Sequence, residues 1–171
     1  MTSTNVQAIA VLLSVLPLIP SSFAGNVEDP VTVRGPEQVT VTCGHGTVAK
    51  VGLTVAGGYH VQANPASRGL IATTVKITGV GKVSLGRPVY PKGRVFRMPG
   101  TIEFMSVYDG DTTIAIPVRA SAAARPGKYV FNGTVEYQSC DSKCCFAPRA
   151  RPLKLTVVVT AGRVKRTGRS S

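Results

Sequence analysis

Four cysteines carry the most distinctive chemistry of this 171-residue chain, and three of them lie close together. Cys140, Cys144 and Cys145 stand in the stretch VEYQSCDSKCCFAP, whereas Cys43 lies far upstream. Cysteines exchange disulfides, staple a fold or bind a metal, depending on their surroundings. Four cysteines allow three complete pairings, so their number alone leaves the pairing open.

The spacing of Cys140 and Cys145 suits a turn, because Asp141 and Ser142 between them are turn formers. Such a turn would bring the two sulfurs within disulfide distance. The bond would close a short loop, which stabilises a fold less than a long-range bond does, and a surface-turn disulfide is easier to reduce. These arguments support a redox pair and a structural bond equally. A strained vicinal bond between Cys144 and Cys145 is a third arrangement.

Charged side chains near the cysteines influence their reactivity. Lys143, Arg149 and Arg151 favour the thiolate, which is the attacking form of cysteine. Asp141 acts in the opposite direction. The local charge therefore suits a reactive thiol without deciding between the two uses of the bond.

The two histidines, His45 and His60, are the other candidates for chemistry. Together with the cysteines they could supply four zinc ligands, but the spacing matches no common zinc pattern. Neither histidine stands in a motif that would activate a cysteine nucleophile. We predict no metal site and no cofactor, and keep an extracytoplasmic metal-handling protein as a lesser alternative.

Residues 1–24 contain no charged side chain, and an apolar run ends at Leu16. Small residues, Ser22 and Ala24, occupy the two positions that signal peptidase reads. We predict a signal peptide cut after Ala24 and a periplasmic or secreted protein, in which disulfides persist. An uncleaved membrane anchor is the alternative, but the apolar run is shorter than the about 20 residues of a span.

The formal net charge is +12, and none of it comes from residues 1–24. Residues 161–171 hold four of the cations. A basic tail can contact nucleic acid, anionic lipid or cell-wall polymers. Because this tail has no interleaved aromatic residues and no nucleic-acid motif, we interpret it as a solvated, disordered end and predict no nucleic-acid partner.

Apolar and polar residues alternate in many short segments after residue 35, and Gly and Pro clusters separate them. This period-two pattern predicts strands with one buried face. Seven or more such strands predict an all-β fold, an immunoglobulin-like antiparallel β-sandwich. The alternating core positions lie at Val39–Cys43, Val51–Val55, Val75 and Ile77, Ile102 and Phe104, Ile114–Val118, Tyr129–Tyr137 and Leu153–Val159.

The domain organisation follows from these signals. Residues 1–24 are the signal peptide, 25–34 a flexible N-terminal segment, 35–160 the sandwich and 161–171 the disordered tail. Asn132-Gly133 is a hairpin signal inside the sandwich. Because the apolar phase continues through it, we predict one long strand with an irregularity at Gly133.

The segment GTVEYQSCDSKCCFAP resembles the active segment of the N-terminal domain of the thiol:disulfide interchange protein DsbD, also called the disulfide-bond-corrector domain. That family ends a strand in Tyr-Gln-x-Cys, continues into a short acidic-polar turn and places Pro soon after a second Cys. Tyr137–Cys140 and Cys145–Pro148 match these halves. GGYHVQANP is similar to the family's Gly-aromatic-His segment, and VYP and SVYDGDTTIAIPV fit its later strands. The resemblance covers about residues 35–160.

The resemblance implies an immunoglobulin-like β-sandwich that exchanges dithiols and disulfides on the extracytoplasmic side of a bacterial membrane. It implies that Cys140 and Cys145 are the catalytic redox pair, with Cys145 forming the mixed disulfide and Cys140 resolving it. The implied partners are a membrane-embedded thiol reductase and thioredoxin-fold periplasmic proteins. Thiolate attack on a disulfide needs no cofactor and no small-molecule substrate. The chain is an enzyme, of the protein-disulfide reductase type, only if this pair is redox active.

Two cysteines are additional to the family pattern. A second disulfide between Cys43 and Cys144 would leave the Cys140–Cys145 pair free to cycle. The family's cap loop corresponds to about residues 92–104, which carry no acidic pair, so we assign no cap acid.

The resemblance also gives expectations about the surroundings of the pair. Tyr59, His60 and Tyr137 are expected as neighbours of the cysteines. We expect no membrane or thioredoxin domain after residue 160, so another polypeptide would have to reduce the pair. The alternative is a non-catalytic immunoglobulin-like binding or structural module with a stapling disulfide.

Overall fold

The computed structural model describes residues 29–100 and 102–162. The predicted signal peptide and residues 163–171 of the predicted tail lie outside the described residues. Within them the fold is all-β. The strands are β1 (Val31–Arg34), β2 (Val39–Thr42), β3 (Gly46–Val55), β4 (His60–Gln62), β5 (Thr74–Ile77), β6 (Val83–Leu85), β7 (Arg94–Arg97), β8 (Phe104–Tyr108), β9 (Gly110–Ala120), β10 (Gly127–Tyr137), β11 (Ser139–Cys140) and β12 (Arg149–Thr160).

The strands form three four-stranded sheets, ordered β1-β3-β9-β6, β2-β12-β10-β5 and β11-β4-β8-β7. All strand pairs are antiparallel except β2 and β12, which run parallel. The first two sheets enclose the core, because the apolar positions of their long strands are buried together. The predicted immunoglobulin-like β-sandwich is therefore confirmed, with one parallel pair as an exception to its antiparallel pattern.

Strand β10 runs through the Asn132-Gly133 signal without a turn. It pairs with β12 along its whole length, from Gly127 opposite Val159 to Tyr137 opposite Arg149. Phe131 and Val135 on either side are buried in the core, so a hairpin would expose both. The prediction of one long strand is confirmed, but the expected irregularity at Gly133 is absent from its pairing with β12.

Gly133 of β10 allows the neighbouring strand β5 to approach closely. A Cβ at Gly133 would lie 2.5 Å from the Lys76 carbonyl oxygen and 2.8 Å from the Ile77 Cβ. Strand β5 can pair with β10 at this position only because Gly133 has no side chain.

The predicted core face at Ile102 and Phe104 is wrong. Their side chains are 84% and 65% exposed, whereas Met105 and Val107 are buried. Neighbouring residues of a strand point to opposite faces, so β8 turns Met105 and Val107 inward and Phe104 outward. The sequence has apolar residues on both faces here, which hides the true phase.

The segment expected to be flexible, residues 25–34, contributes a strand from Val31 onward. In β1, Val31 pairs with Val55 and Arg34 with Gly52 of β3. Val31 is buried in the core. The described part of this segment therefore belongs to the sandwich, and the predicted boundary at residue 35 is too late.

Candidate redox site

The third sheet carries the cysteines at its edge. In β11, Ser139 pairs with Val61 and Cys140 with His60 of β4. Cys140 also forms a bridge with Cys145, and a disulfide joins the two residues across a Cα–Cα distance of 3.9 Å. The structure thus joins the two cysteines that the family resemblance pairs.

Asp141 closes the turn between the two cysteines. Its carboxylate accepts hydrogen bonds from the backbone amides of Lys143 at 2.7 Å and Cys144 at 2.8 Å. Its own amide donates to the Cys144 carbonyl at 3.0 Å, and the Phe146 amide donates to the Ser139 carbonyl at 2.8 Å. The amides of Cys144 and Lys143 lower the pKa of Asp141. The carboxylate is therefore ionised at neutral pH, and the predicted turn is found.

The two sulfurs of the disulfide differ in accessibility. Cys140 is 0% exposed, whereas Cys145 is partly exposed. A nucleophile from another molecule can therefore approach the disulfide from the Cys145 side.

A groove of about 480 Å³ opens beside Cys145. Its other lining residues come from the segment after β4 and from the β7–β8 hairpin. They are Ser67, Arg68, Leu70, Met98, Glu103, Phe104 and Met105. Apolar side chains thus form much of a concave surface that ends at the accessible sulfur, with one cation and one anion in its lining.

Strand β4 places polar side chains behind the disulfide. The Gln62 side-chain amide donates to the Cys140 Sγ at 3.5 Å and to the Met105 Sδ at 3.8 Å. Three buried polar atoms among the described residues have no partner: Gln62 Oε1, His60 Nε2 and Ser139 Oγ. All three belong to residues of the β4–β11 pair.

His60 is buried in register with Cys140, and its ring packs on Phe96 with a centroid distance of 4.3 Å. Burial lowers the pKa of His60, and the nearby Arg94 guanidinium lowers it further. The imidazole is therefore neutral at pH 7. The structure places this neutral imidazole opposite Cys140 in the β4–β11 pair.

Tyr59 reaches the site through an aromatic contact. Its ring lies 6.2 Å from the ring of Phe146, the residue after Cys145. Tyr59 thus contacts the residue that directly follows the disulfide.

Tyr137 belongs to a different cluster. Its hydroxyl donates to the Asp29 carboxylate, which is 2% exposed and also pairs with Arg151 at 2.6 Å and Arg149 at 3.6 Å. Burial raises the pKa of Tyr137 to about 12, and the hydrogen bond to Asp29 adds to the rise. Tyr137 is close to Cys140 in the chain, but its polar atom anchors the N-terminal segment instead of serving the cysteines.

The predicted bond between Cys43 and Cys144 is absent, and both residues are free cysteines. The Cys43 thiol donates to the Ala124 carbonyl at 3.1 Å, at the end of the sandwich where β10 begins. Cys144 follows the other end of β10, which at about 3.3 Å per residue lies roughly 33 Å away. The two thiols therefore cannot meet within one chain.

Sequence reasoning missed Gln62 and Asp29. Gln62 lies in the GGYHVQANP block, two residues after His60, and that spacing puts both side chains on one face of a strand. Polar residues on a strand that is buried along its length were the available signal. Asp29 carries no such signal, because the side chains that it contacts lie more than 100 residues away.

The fold and the site define an immunoglobulin-like β-sandwich domain with a short-loop disulfide at the edge of a sheet. Residues 29–156 match the model of the family described as "Thiol:disulfide interchange protein DsbD, N-terminal". This match spans more than half of the chain, and the chain belongs to that family.

Among solved structures, the chain is similar to a periplasmic domain of known fold. The N-terminal periplasmic domain of ScsB from Proteus mirabilis has a TM-score of 0.51 at 16% sequence identity, over 74% of this chain and 46% of that chain. This likeness supports the fold. The chain spans less than half the length of the ScsB domain.

Other matches are more distant. A family 123 glycoside hydrolase from Clostridium perfringens has a TM-score of 0.37 at 9% identity, over 72% of this chain and 22% of that chain. A PapD-like domain of human CEP192 has a TM-score of 0.34 at 11% identity, over 92% and 99%. Neither carries an argument about this chain. Comparison with curated proteins found no match.

Two further findings concern the described residues alone. They include no helix of the length and hydrophobicity needed to cross a membrane. They also include no cluster of three or more histidines, cysteines or acids arranged to hold a metal ion.

Proposed function

We propose that this chain is an extracytoplasmic thiol–disulfide exchange domain that carries reducing equivalents through Cys140 and Cys145. The observation that carries the proposal is the disulfide itself, which joins a buried sulfur to a partly exposed one at the end of a groove. Membership of the DsbD N-terminal family supports the same activity.

The exchange consists of four thiolate attacks. A donor thiolate attacks the Cys145 sulfur, a donor–Cys145 disulfide forms, and the Cys140–Cys145 bond breaks with its electron pair on Cys140. The donor's second thiolate then attacks its own bonded sulfur, which releases Cys145 and leaves the donor oxidised. Two electrons and two protons have entered the domain.

Delivery reverses this sequence on an acceptor. The Cys145 thiolate attacks an acceptor disulfide and forms a second mixed disulfide. Cys140 then attacks Cys145, restores the intramolecular bond and releases the acceptor as a dithiol. The adjacency of Cys140 makes this resolving step intramolecular and therefore fast.

The proposed donor is a membrane-embedded thiol reductase, and the proposed acceptors are thioredoxin-fold proteins. Support comes from the family to which the chain belongs and from the signal-peptide pattern of residues 1–24. The groove beside Cys145 is suited to an extended apolar segment around an acceptor cysteine. Export to the periplasm or the cell exterior is part of the proposal.

A stapling role for the same bond is the second candidate. The complete burial of Cys140 favours it, because buried structural disulfides resist reduction. In that case the domain would act as a binding or structural module.

Trapping of a mixed disulfide tests the exchange proposal. We expect the Cys140→Ala variant, with Cys43 and Cys144 both replaced by Ser, to form a stable adduct through Cys145. The probe is a single-cysteine thioredoxin activated with thionitrobenzoate, and the adduct is read by non-reducing electrophoresis and peptide mass spectrometry.

The matched control is the Cys145→Ala variant in the same background, which leaves only the buried Cys140. It should form the adduct at least tenfold more slowly. Equal or reversed reactivity of the two single-cysteine proteins would contradict the assignment of Cys145 as the attacked and attacking residue.

A further inference from the structure

Gln62 is a fully buried polar residue whose side chain faces two sulfurs. Its Nε2 lies 3.5 Å from the Cys140 Sγ and 3.8 Å from the Met105 Sδ, and its exposed fraction is 0%. Both sulfurs are weak acceptors in the oxidised protein. The amide oxygen, Oε1, has no partner at all. The oxidised site therefore leaves the hydrogen-bonding capacity of a buried amide largely unused, which is costly.

Backbone hydrogen bonds hold Gln62 in place. The backbone amide of Gln62 donates to the backbone carbonyl of Gln138 at 3.2 Å. The Gln62 carbonyl accepts two hydrogen bonds from Thr73, one from its amide at 3.1 Å and one from its hydroxyl at 2.6 Å. These bonds fix the backbone of Gln62 against the residue before β11 and the residue before β5, and so hold its Cα beside Cys140.

We propose that Gln62 is a catalytic residue for disulfide exchange, because its side-chain amide stabilises the thiolate that Cys140 becomes when a partner thiolate attacks Cys145. This inference rests on the proposed function. In the step concerned, the partner–Cys145 bond forms, the Cys140–Cys145 bond breaks, and the electron pair remains on Cys140. The amide proton stays on Gln62 and strengthens its hydrogen bond to the new anion.

The preference for the thiolate follows from charge and burial. A thiolate is a much stronger acceptor than a disulfide sulfur, and hydrogen bonds to charged groups are the stronger class. Cys140 is out of contact with water, so an anion there needs a donor from the protein. Among the described residues, the Gln62 side-chain amide is the donor that reaches this sulfur. A better-stabilised leaving thiolate departs faster and favours the open form of the bond.

The ionisation of Cys140 alone tests this role. Replacing Cys43 and Cys144 by Ser and Cys145 by Ala leaves Cys140 as the single thiol, whose Cβ resonance in carbon-13 NMR reports its charge. We expect Gln62→Leu to raise the midpoint of the Cys140 titration by about one pH unit or more. Gln62→Glu should raise it further, because a carboxylate repels the thiolate.

Ser139→Ala is the matched control. Ser139 is adjacent to Cys140, is equally buried, and its hydroxyl has no partner, so its removal should leave the titration midpoint unchanged. A midpoint that stays within about 0.2 units in Gln62→Leu, or that moves equally in Ser139→Ala, would overturn the proposal. This titration needs no exchange partner, so it can fail or succeed independently of the proposed function.

A second measurement covers the case in which the Gln62 variants do not fold. In the otherwise native protein, reduction of the disulfide at pH 9 should move one Gln62 side-chain amide proton downfield in nitrogen-15 NMR spectra. The Asn64 side-chain amide, which donates to the Thr73 carbonyl, is the internal reference and should not move. Unchanged Gln62 amide protons on reduction would likewise overturn the proposal.

Discussion

At the residue scale, the site depends on a difference between two bonded sulfurs. Cys145 faces the groove and Cys140 faces the interior, where Gln62 and His60 lie behind it. Because the Cys140 sulfur is buried, only protein groups can stabilise a negative charge on it. The chemical asymmetry of the pair therefore follows from the position of β11 at the edge of the third sheet.

Asp141→Ala should loosen the cysteine turn, because the Asp141 carboxylate accepts two backbone hydrogen bonds in it. These bonds lower the pKa of Asp141, so its contribution to stability is present above the unfolded pKa of about 3.9 and is lost as the pH falls through the folded value. Thermal unfolding between pH 2.5 and 7 should show the variant below the native protein at pH 7 and level with it in acid.

The control for this prediction is Asp141→Asn, which retains an acceptor oxygen but no charge. It should unfold between Asp141→Ala and the native protein at pH 7, because a neutral oxygen accepts weaker hydrogen bonds than a carboxylate. A constant difference between native protein and Asp141→Ala at every pH would mean that the charge of Asp141 does not stabilise the turn.

His60 should make the fold sensitive to mild acid. Burial lowers the pKa of His60 below 6.5, so the unfolded chain binds a proton more readily than the folded one between the two values. Stability should therefore fall as the pH drops below about 6.5 and level off once the folded His60 is also protonated. Urea unfolding from pH 7.5 to 4.5 should show this slope, and His60→Phe should remove it. A slope of the same size in His60→Phe would contradict this assignment.

At the element scale, the long strands and the short strands β2 and β5 could be predicted from the sequence, whereas the phase of β8 could not. β3, β9, β10 and β12 alternate over ten or more residues, so burial on one face leaves a clear pattern. β8 has apolar residues on both faces, since Phe104 lines the groove while Met105 and Val107 face inward. Its phase depends on tertiary packing that local sequence does not encode.

In the candidate site, too, the local features could be predicted from the sequence and the long-range contacts could not. The Cys140–Cys145 bond follows from a motif and a turn that are local in sequence. Gln62 and Cys140 are 78 residues apart, and their contact depends on the pairing of β4 with β11. Contacts of this range require the topology, which the period-two pattern does not specify.

Gly133→Ala should destabilise the sandwich at the β5–β10 pair. The added Cβ would meet the Lys76 carbonyl oxygen at 2.5 Å, so one strand must move. We expect a loss of about 1–3 kcal/mol in the free energy of unfolding, which is typical of overpacking at a buried contact. Urea denaturation measures it.

Gly57→Ala is the control, because a Cβ at Gly57 has no neighbour within 4 Å. It should change stability by less than about 0.5 kcal/mol. Equal stability of the Gly133 variant and the native protein would show that β5 is not held against β10 at this position.

At the scale of the whole molecule, a hydrogen bond and ion pairs of Asp29 attach the N-terminal segment to the sandwich near the cysteine turn. Asp29 accepts a hydrogen bond from the Tyr137 hydroxyl and pairs with Arg151, which links the segment before β1 to β10 and β12. A buried carboxylate without these partners would be strongly disfavoured. Residues 29–34 are therefore part of the folded domain, whereas the sequence predicted a flexible segment over residues 25–34.

Asp29→Asn should lower the melting temperature by several degrees, because it removes the charge that both arginines face. Glu37→Gln makes the same charge change at an exposed position and should have little effect. Differential scanning calorimetry at pH 7 compares the two. Equal melting temperatures of the two variants would mean that Asp29 does not anchor the segment.

The midpoint potential of the Cys140–Cys145 bond tests the central claim most directly. The protein without residues 1–24 is equilibrated in glutathione and dithiothreitol buffers, thiols are trapped, and the linked and unlinked peptides are counted by mass spectrometry. An exchange domain predicts a bond that titrates above about −300 mV, the usual upper limit of structural disulfides. A bond that remains oxidised at potentials below that value would contradict the carrier function and identify Cys140–Cys145 as a structural staple.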